Sequence, residues 1–254
     1  MQKTIAIVQA RTDSSRLPGK VLLPVLQQPM LMHQLQRISR SKRLDKVIVA
    51  TSDQESDDAL AKVVLDNGYE CFRGSEDDVL ARFYELCSSL DLQEDDMIVR
   101  LTGDCPLLDS LVIDELVDFF TKQNVDYAAN CIVPVYPDGF DAEIFTFRSL
   151  QEAFLKADRP SDREHVTPYI YTSGLFKTAN IEKEDRMDHL RLTVDEKEDF
   201  QLIRRLYEHF GHNRFTYEEI IRYLSKHQEL TQLNAHIKRN EGYQKSLLKD
   251  KKER

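Results

Sequence analysis

The sequence predicts an α/β protein: a mostly parallel sheet covered by helices on both faces, a three-layer sandwich with a small subregion grafted on. Three observations lead there. From residue 4, short β-branched apolar runs alternate with longer amphipathic stretches, the rhythm of βαβ units. The runs are apolar on both faces, as strands buried between two helical layers must be. The 254-residue chain, 41% hydrophobic and 31% charged, has globular composition and length for a substantial core.

In order, TIAIVQA over 4–10 reads as the first strand, LMHQLQRIS as a helix, KVIVAT over 46–51 as the second strand and ALAKVVLDN as a helix. YECFR, a helix through VLARFYELCSSL, the buried strand MIVRL and a helix through LVIDELVDFFTKQ continue the series. Beyond about residue 125 the rhythm loosens. DYAANCIVPVYPDGFDAEIFTF carries Pro134, Pro137 and Gly139 and reads as short strands with turns. Helices follow near 148–157, 162–172 and 197–210, the second kinked or started late by Pro168. This gives one domain over 1–230, elaborated over 125–195, and a charged C-terminal helix or tail over 231–254. From Lys238 to Arg254 there are seven Lys or Arg and three acids, which read as a solvated helix or tail with anionic-partner binding as the second reading.

A net charge of −9 excludes general duplex binding, which needs a basic face, so no nucleic-acid partner is expected. With no apolar run long enough to span a bilayer and an N-terminus that meets charge at once, a cytoplasmic protein without a membrane partner is expected. Cys71, Cys87, Cys105 and Cys131 are widely spaced, without a CxxC pair, and read as reduced, mostly buried thiols.

Candidate chemistry lies in the loops after strands. Gln9-Ala10-Arg11 runs into TDSSRLPGK, which offers two serines, a Pro-Gly turn and the cations Arg11, Arg16 and Lys20. A βα loop at the carboxyl end of a strand can cradle phosphates with its free N–H groups and cations. It is not a Walker loop, because Ser14 and Val21 stand where glycine and Ser/Thr would be. MIVRLTGDCP delivers Asp104 to a strand end, where a carboxylate can hold Mg²⁺ alongside substrate phosphates or simply serve a turn. Asp195 in LTVDEKEDF is a second such carboxylate, or else half of a capping box with Glu198.

The loop QARTDSSRLPGKVL carries A-R followed by S-x-R-x-P-x-K, and with it the chain resembles the CMP-sugar synthetase-like cytidylyltransferases, in particular the spore coat polysaccharide biosynthesis protein F group. The similarity continues through VIVATSD, FRGSEDDVLARF, RLTGDCPLLD, DGFDAEIF, DREHVTPYIY and LTVDEKEDF, roughly over 3–210. It implies a Rossmann-like, nucleotide-diphospho-sugar transferase-like fold and transfer of a nucleoside monophosphate, CMP above all, from an NTP to a sugar or sugar phosphate. Pyrophosphate would leave, with Mg²⁺ as cofactor, in cell-surface or spore-coat polysaccharide biosynthesis.

By matching position it implies that Ala10 and Arg11 lie against the base and that Ser15, Arg16 and Lys20 bind the triphosphate. Ser52, Asp53, Arg73, Asp77 and Arg82 would shape the nucleotide pocket. Asp104 and Asp195 would be the metal ligands, with Arg16, Lys20 and Asp104 the catalytic set. Asp141, Glu143, Arg163, Glu164 and His165 would contact the sugar within 125–195. Tyr169, Tyr171 and Phe176 read as packing. The resemblance also suggests a homodimer, with Tyr136-Pro137 as interface material. The sialic-acid-type members carry a Gly-rich first loop where this chain has Thr12-Asp13-Ser14. Two rival readings stay open: a glycosyltransferase consuming a nucleotide-sugar, and a non-catalytic nucleotide-binding homologue.

Overall fold

A computed structural model describes residues 2–251. Its centre is a seven-stranded sheet. Four parallel strands form one half: β1 (Thr4–Gln9), β4 (Lys46–Ser52), β5 (Glu70–Gly74) and β6 (Met97–Thr102). The other half comprises β7 (Tyr127–Ala129), β8 (Glu143–Thr146) and β9 (Thr178–Asn180), and the spatial order is β5-β4-β1-β6-β8-β7-β9. Only β8 runs against its neighbours, because the chain leaves β7, loops over 130–142 and re-enters between β6 and β7. A two-residue ribbon, β2 (Pro24–Val25) with β3 (Gln28–Pro29), sits ahead of the first helix.

Alternate residues of each strand feed two cores, as the period of a strand requires. Ala6, Val8, Val49, Val99 and Leu101 face α1 (Met30–Ile38), α2 (Asp58–Asp66), α4 (Ser110–Gln123), α8 (Lys197–Phe210) and α9 (Tyr217–Lys226). Ile5, Ile7, Ile48, Ala50 and Ile98 face α3 (Val79–Ser88), α5 (Phe147–Lys156), α6 (Pro160–His165) and α7 (Pro168–Thr172). The three-layer expectation is met, with the central strand β1 buried along its length. The segment expected to kink at Pro168 is two helices, α6 and α7; Val166 at φ 70° breaks them and Pro168 opens the second.

Helix starts are encoded locally. Asp78 accepts from Ala81 N to cap α3, Asp109 from Leu111 N to cap α4, and Thr216 with Glu219 forms a capping box for α9. Gly139 has φ +105°, and a Cβ there would stand 2.5 Å from the Leu192 carbonyl, so the 130–142 loop can lie against 190–192 only with glycine.

The chain ends with a four-residue turn of helix, α10 (Gln228–Thr231), and α11 (Glu241–Asp250). Within 231–254, expected as a charged helix or tail, residues 241–250 form α11. It packs on α6 with Ser246 and Asp250 buried; residues 252–254 of that tail lie outside the described residues. Among the described residues no helix is long and apolar enough to cross a membrane.

Candidate active site

The loop after β1 is built by local bonds. The Thr12 carbonyl accepts from Ser14 N at 3.0 Å and from Gly19 N at 2.8 Å, closing the loop on itself. Gly19 sits at φ +68°, a conformation that follows Pro18 with little cost only for glycine. The loop is anchored from outside by Asp57, whose Oδ1 accepts from Thr12 N and Thr12 Oγ1, each at 2.7 Å. Its Oδ2 accepts from Thr51 Oγ1 at 2.9 Å and Ser52 Oγ at 2.5 Å. Burial pushes the Asp57 carboxyl up, but these donors together bring it below its ordinary range, so it is a fixed anion under the loop.

The closed loop delivers Lys20 into the sheet's carboxyl edge. The ammonium is buried and donates to Asp104 Oδ2 at 3.0 Å, Asp195 Oδ1 at 2.8 Å and the Val194 carbonyl at 2.7 Å. Asp104 and Asp195 come together because the Asp104 carbonyl accepts from Val194 N at 2.9 Å and Thr193 Oγ1 at 3.2 Å, binding the two segments edge to edge. Burial alone would raise the Asp104 carboxyl. The Lys20 ammonium and the Thr102 hydroxyl outweigh it and hold Asp104 down at about 2. Burial likewise lowers Lys20, and the two carboxylates reverse that, so it is held above its usual value and stays charged.

Arg16 lies beside this triad, 3.0 Å from Asp195 Oδ1 and 3.4 Å from Glu196 Oε1. Behind Asp195 stands Arg191, which sequence reading did not single out. Its guanidinium donates to Asp195 Oδ2 and to both oxygens of Asp199 at 2.9 Å each, and to Asp138 Oδ2 at 2.8 Å. The capping box of α8 also differs from the Asp195 and Glu198 pair considered above. Glu196 and Asp199 form it, one residue on, and Asp195 is thereby free to turn its carboxylate to the cations.

The two carboxylates sharing one ammonium are the feature that fits a metal. Mg²⁺ commonly takes one or two protein carboxylates and completes its shell with phosphate oxygens and water. Among the described residues no group of three or more His, Cys, Asp or Glu is arranged to hold an ion alone. Asp104 and Asp195 match the sparser arrangement.

The remaining nucleotide-side residues divide. Ala10 is buried at the end of β1; Arg11, Ser15, Asp53 and Asp77 are exposed around it, with Arg11 3.8 Å from Glu76. Arg82 is buried, donates to the Ser75 carbonyl at 3.1 Å and has an Nε–H with no partner. Burial and the neighbouring Arg11 lower it to about 10, as a cation short of anions would be. Ser52 is committed to Asp57. Arg73 is committed to the 52–58 turn, through the carbonyls of Ser52 at 3.0 Å and Gln54 at 2.8 Å and through Asp58 at 2.6 Å.

Among the residues expected to contact the sugar, Glu143 is buried and takes donors from Arg100, Tyr127 Oη at 2.7 Å and Thr167 Oγ1 at 2.6 Å. Arg163 clamps α6 to α3 through Asp78 at 2.7 Å and caps the carbonyls of Phe154 and Ala157 at 3.2 and 3.1 Å. Both are spent on the protein. Glu164 and His165 face α11, meeting Ser246 Oγ at 2.7 and 3.1 Å, and Asp141 is paired with Arg239. Tyr136 is packed internally against Phe140 and Tyr217 and donates to Glu115, while Tyr169, Tyr171 and Phe176 pack on the core as expected. All four cysteines are unpaired, Cys87 and Cys105 buried. Asp57, Arg191, Asp199 and Arg239 carry no motif of their own; only their approach in space reveals them.

Sheet order, the reversed β8 and the loop after β1 define the class: an α/β nucleotidyltransferase fold, shared with a CMP:2-keto-3-deoxy-manno-octonic acid synthetase solved with CTP at a TM-score of 0.63 and 18% identity, over 82% of this chain and 99% of that one. Within that class the chain belongs to the cytidylyltransferase family, whose model matches residues 5–245. The spore coat polysaccharide biosynthesis protein SpsF of Bacillus subtilis is 34% identical over 219 residues, 83% of this chain and 89% of the relative. A cytidylyltransferase from Leptospira borgpetersenii superposes with a TM-score of 0.86 at 33% identity, covering 91% of this chain and 98% of its own.

Proposed function

We propose that this enzyme transfers CMP from CTP to a sugar or sugar phosphate and releases pyrophosphate, with Mg²⁺ held by Asp104 and Asp195. The observation that carries the reading is the buried Lys20 ammonium shared by those two carboxylates at the carboxyl edge of β1 and β6. A cation is demanded there, and both a metal and a triphosphate could rearrange it. The family match and the CTP bound by the distant synthetase support cytidine as the base.

In the reaction an acceptor oxygen forms a bond to the α-phosphorus, the bond from that phosphorus to the bridging oxygen of the β-phosphate breaks, and pyrophosphate takes the electron pair. The acceptor proton passes to solvent or a nearby carboxylate. Lys20 and Arg16 exchange their carboxylates for phosphate oxygens and neutralise the charge that builds on the leaving pyrophosphate. Arg82 supplies its unpartnered N–H to the nucleotide. Arg191 keeps Asp195 aimed at the site while those exchanges occur. When bound, Mg²⁺ would withdraw charge from the phosphates. Family membership favours this over the glycosyltransferase alternative, which would release a nucleoside diphosphate. SpsF's name concerns spore coat polysaccharide, and we extend to this chain a role in making an activated sugar for polysaccharide synthesis.

The test is pyrophosphate release with Mg²⁺, each of the four NTPs being offered against a panel of keto-acid sugars and sugar 1-phosphates. A signal requiring CTP and one sugar, abolished in Asp104→Ala, is the expected outcome. Release of nucleoside diphosphate from a nucleotide-sugar, or tight CTP binding without turnover across the panel, would overturn it.

A further inference from the structure

The C-terminal segment, read from sequence as a solvated helix or tail, touches the 125–195 region repeatedly and the loop after β1 once. Arg239 pairs with Asp141, donates to the Tyr136 carbonyl at 3.3 Å and stands 4.0 Å from Asp138. Glu241 reaches Arg16 at 3.9 Å. The Tyr243 ring meets His165 edge-on at 5.0 Å, and Ser246 bonds Glu164 and His165. Asp250 Oδ1 accepts from Ser161 N at 3.2 Å and ends the docking. Three residues that the sequence assigned to the sugar, Asp141, Glu164 and His165, thus meet this strap. One further feature is chemical: the Arg239 Nε–H is buried, 4.0 Å from Asp138 Oδ1, and makes no hydrogen bond.

We propose that Arg239, at the head of this strap and paired with Asp141, lines the acceptor site and binds neighbouring hydroxyls of the sugar. A hydroxyl both accepts and donates, and a guanidinium beside a carboxylate offers the complementary donor and acceptor. The free Nε–H takes the oxygen of one hydroxyl, and Asp141 takes the proton of the next. Two nearby carboxylates, Asp138 and Asp141, make this spot hostile to the acceptor's anionic group. The pair therefore reads the hydroxylated part of a sugar acid or sugar phosphate. The inference rests on the sugar-nucleotidyltransferase reading for the identity of its ligand class.

Saturation-transfer NMR with CTP and Mg²⁺ present would measure binding of 2-keto-3-deoxy-manno-octonic acid, glucose 1-phosphate and their relatives to the full chain, with pyrophosphate release read in the same samples. Loss of one charge-assisted contact should weaken sugar binding about 10- to 100-fold in Arg239→Ala, leaving the CTP affinity unchanged. Asp250→Ala, which removes the acceptor of Ser161 N far from Arg239, should bind the sugar as wild type does. Equal sugar binding by wild type and Arg239→Ala overturns the inference, and so does an equal loss in Asp250→Ala, which would make the effect one of docking. No binding of any panel sugar to wild type also overturns it. Sugar binding that depends on Arg239 without pyrophosphate release would support the inference and defeat the reaction assignment alone.

Discussion

The half of the molecule proposed to hold the nucleotide and the half proposed to hold the acceptor handle their charged groups differently. Around the loop after β1, cations are held in exchangeable or incomplete arrangements: Lys20 between two carboxylates, Arg82 with an unpartnered N–H, Arg11 exposed. In the proposed acceptor half, Glu143 and Arg163 are bonded to the protein, and a group left with a spare donor, Arg239, comes from the C-terminal segment. Phosphate binding is a demand that one contiguous loop can meet, since backbone N–H groups and two or three cations suffice. Holding a sugar needs directional partners from several elements, and most polar groups there are used to fasten those elements to each other.

The comparison breaks most visibly at Glu143. If it is a fastener, Glu143→Ala strands the buried Arg100 and should cost about 3–5 kcal/mol in denaturant unfolding, with CTP affinity of the folded fraction unchanged. A stability loss under 1 kcal/mol with a raised acceptor KM would return it to the sugar.

On the other side of the contrast, Lys20→Ala should lower turnover about 10²–10³-fold. It also leaves Asp104 and Asp195 facing each other, so its melting temperature should rise with Mg²⁺ more than that of wild type. An active variant, or one indifferent to Mg²⁺, would contradict an exchangeable cation site.

Arg82 gives a smaller effect with a distinctive sign. Arg82→Met removes a buried unpartnered N–H, so stability should hold or improve, while CTP binding weakens about 10-fold or more. A stability loss without any change in CTP binding would make Arg82 one more fastener.

The smallest effect belongs to the scaffold beneath both halves. Burial lowers His33, only partly offset by its bond to the Val25 carbonyl at 2.7 Å, so it is neutral when folded. Below about pH 6.5 the unfolded chain binds a proton that the folded chain resists, and stability falls as pH drops, by at most about 1.4 kcal/mol per unit from this group. His33→Gln keeps a donor to Val25 and should flatten the slope between pH 7 and 5.5 in denaturant titrations. An unchanged slope would show that His33 is not the group responsible.

Legibility followed sequence distance. β1 with its loop was readable because Ala10, Arg11, Ser15, Arg16 and Lys20 lie within eleven residues and act through a locally closed turn. The pairing of Asp104 with Asp195 was suggested by resemblance, and its physical basis, a carbonyl bonded to the 193–194 backbone, is invisible in one dimension. The resemblance placed Ser52 and Arg73 in the nucleotide pocket, and the structure bonds them to the turn that carries Asp57.

The sequence by itself determined the alternating strands and helices, the apolar faces that bury them and the phosphate-type loop, because these depend on neighbours a few residues apart. The tertiary structure decided the reversal of β8, the network behind Asp195 and the docking of α11 over the acceptor half. Each of those balances burial against the pairing of charges far apart in the chain, and that balance exists only once the chain has folded.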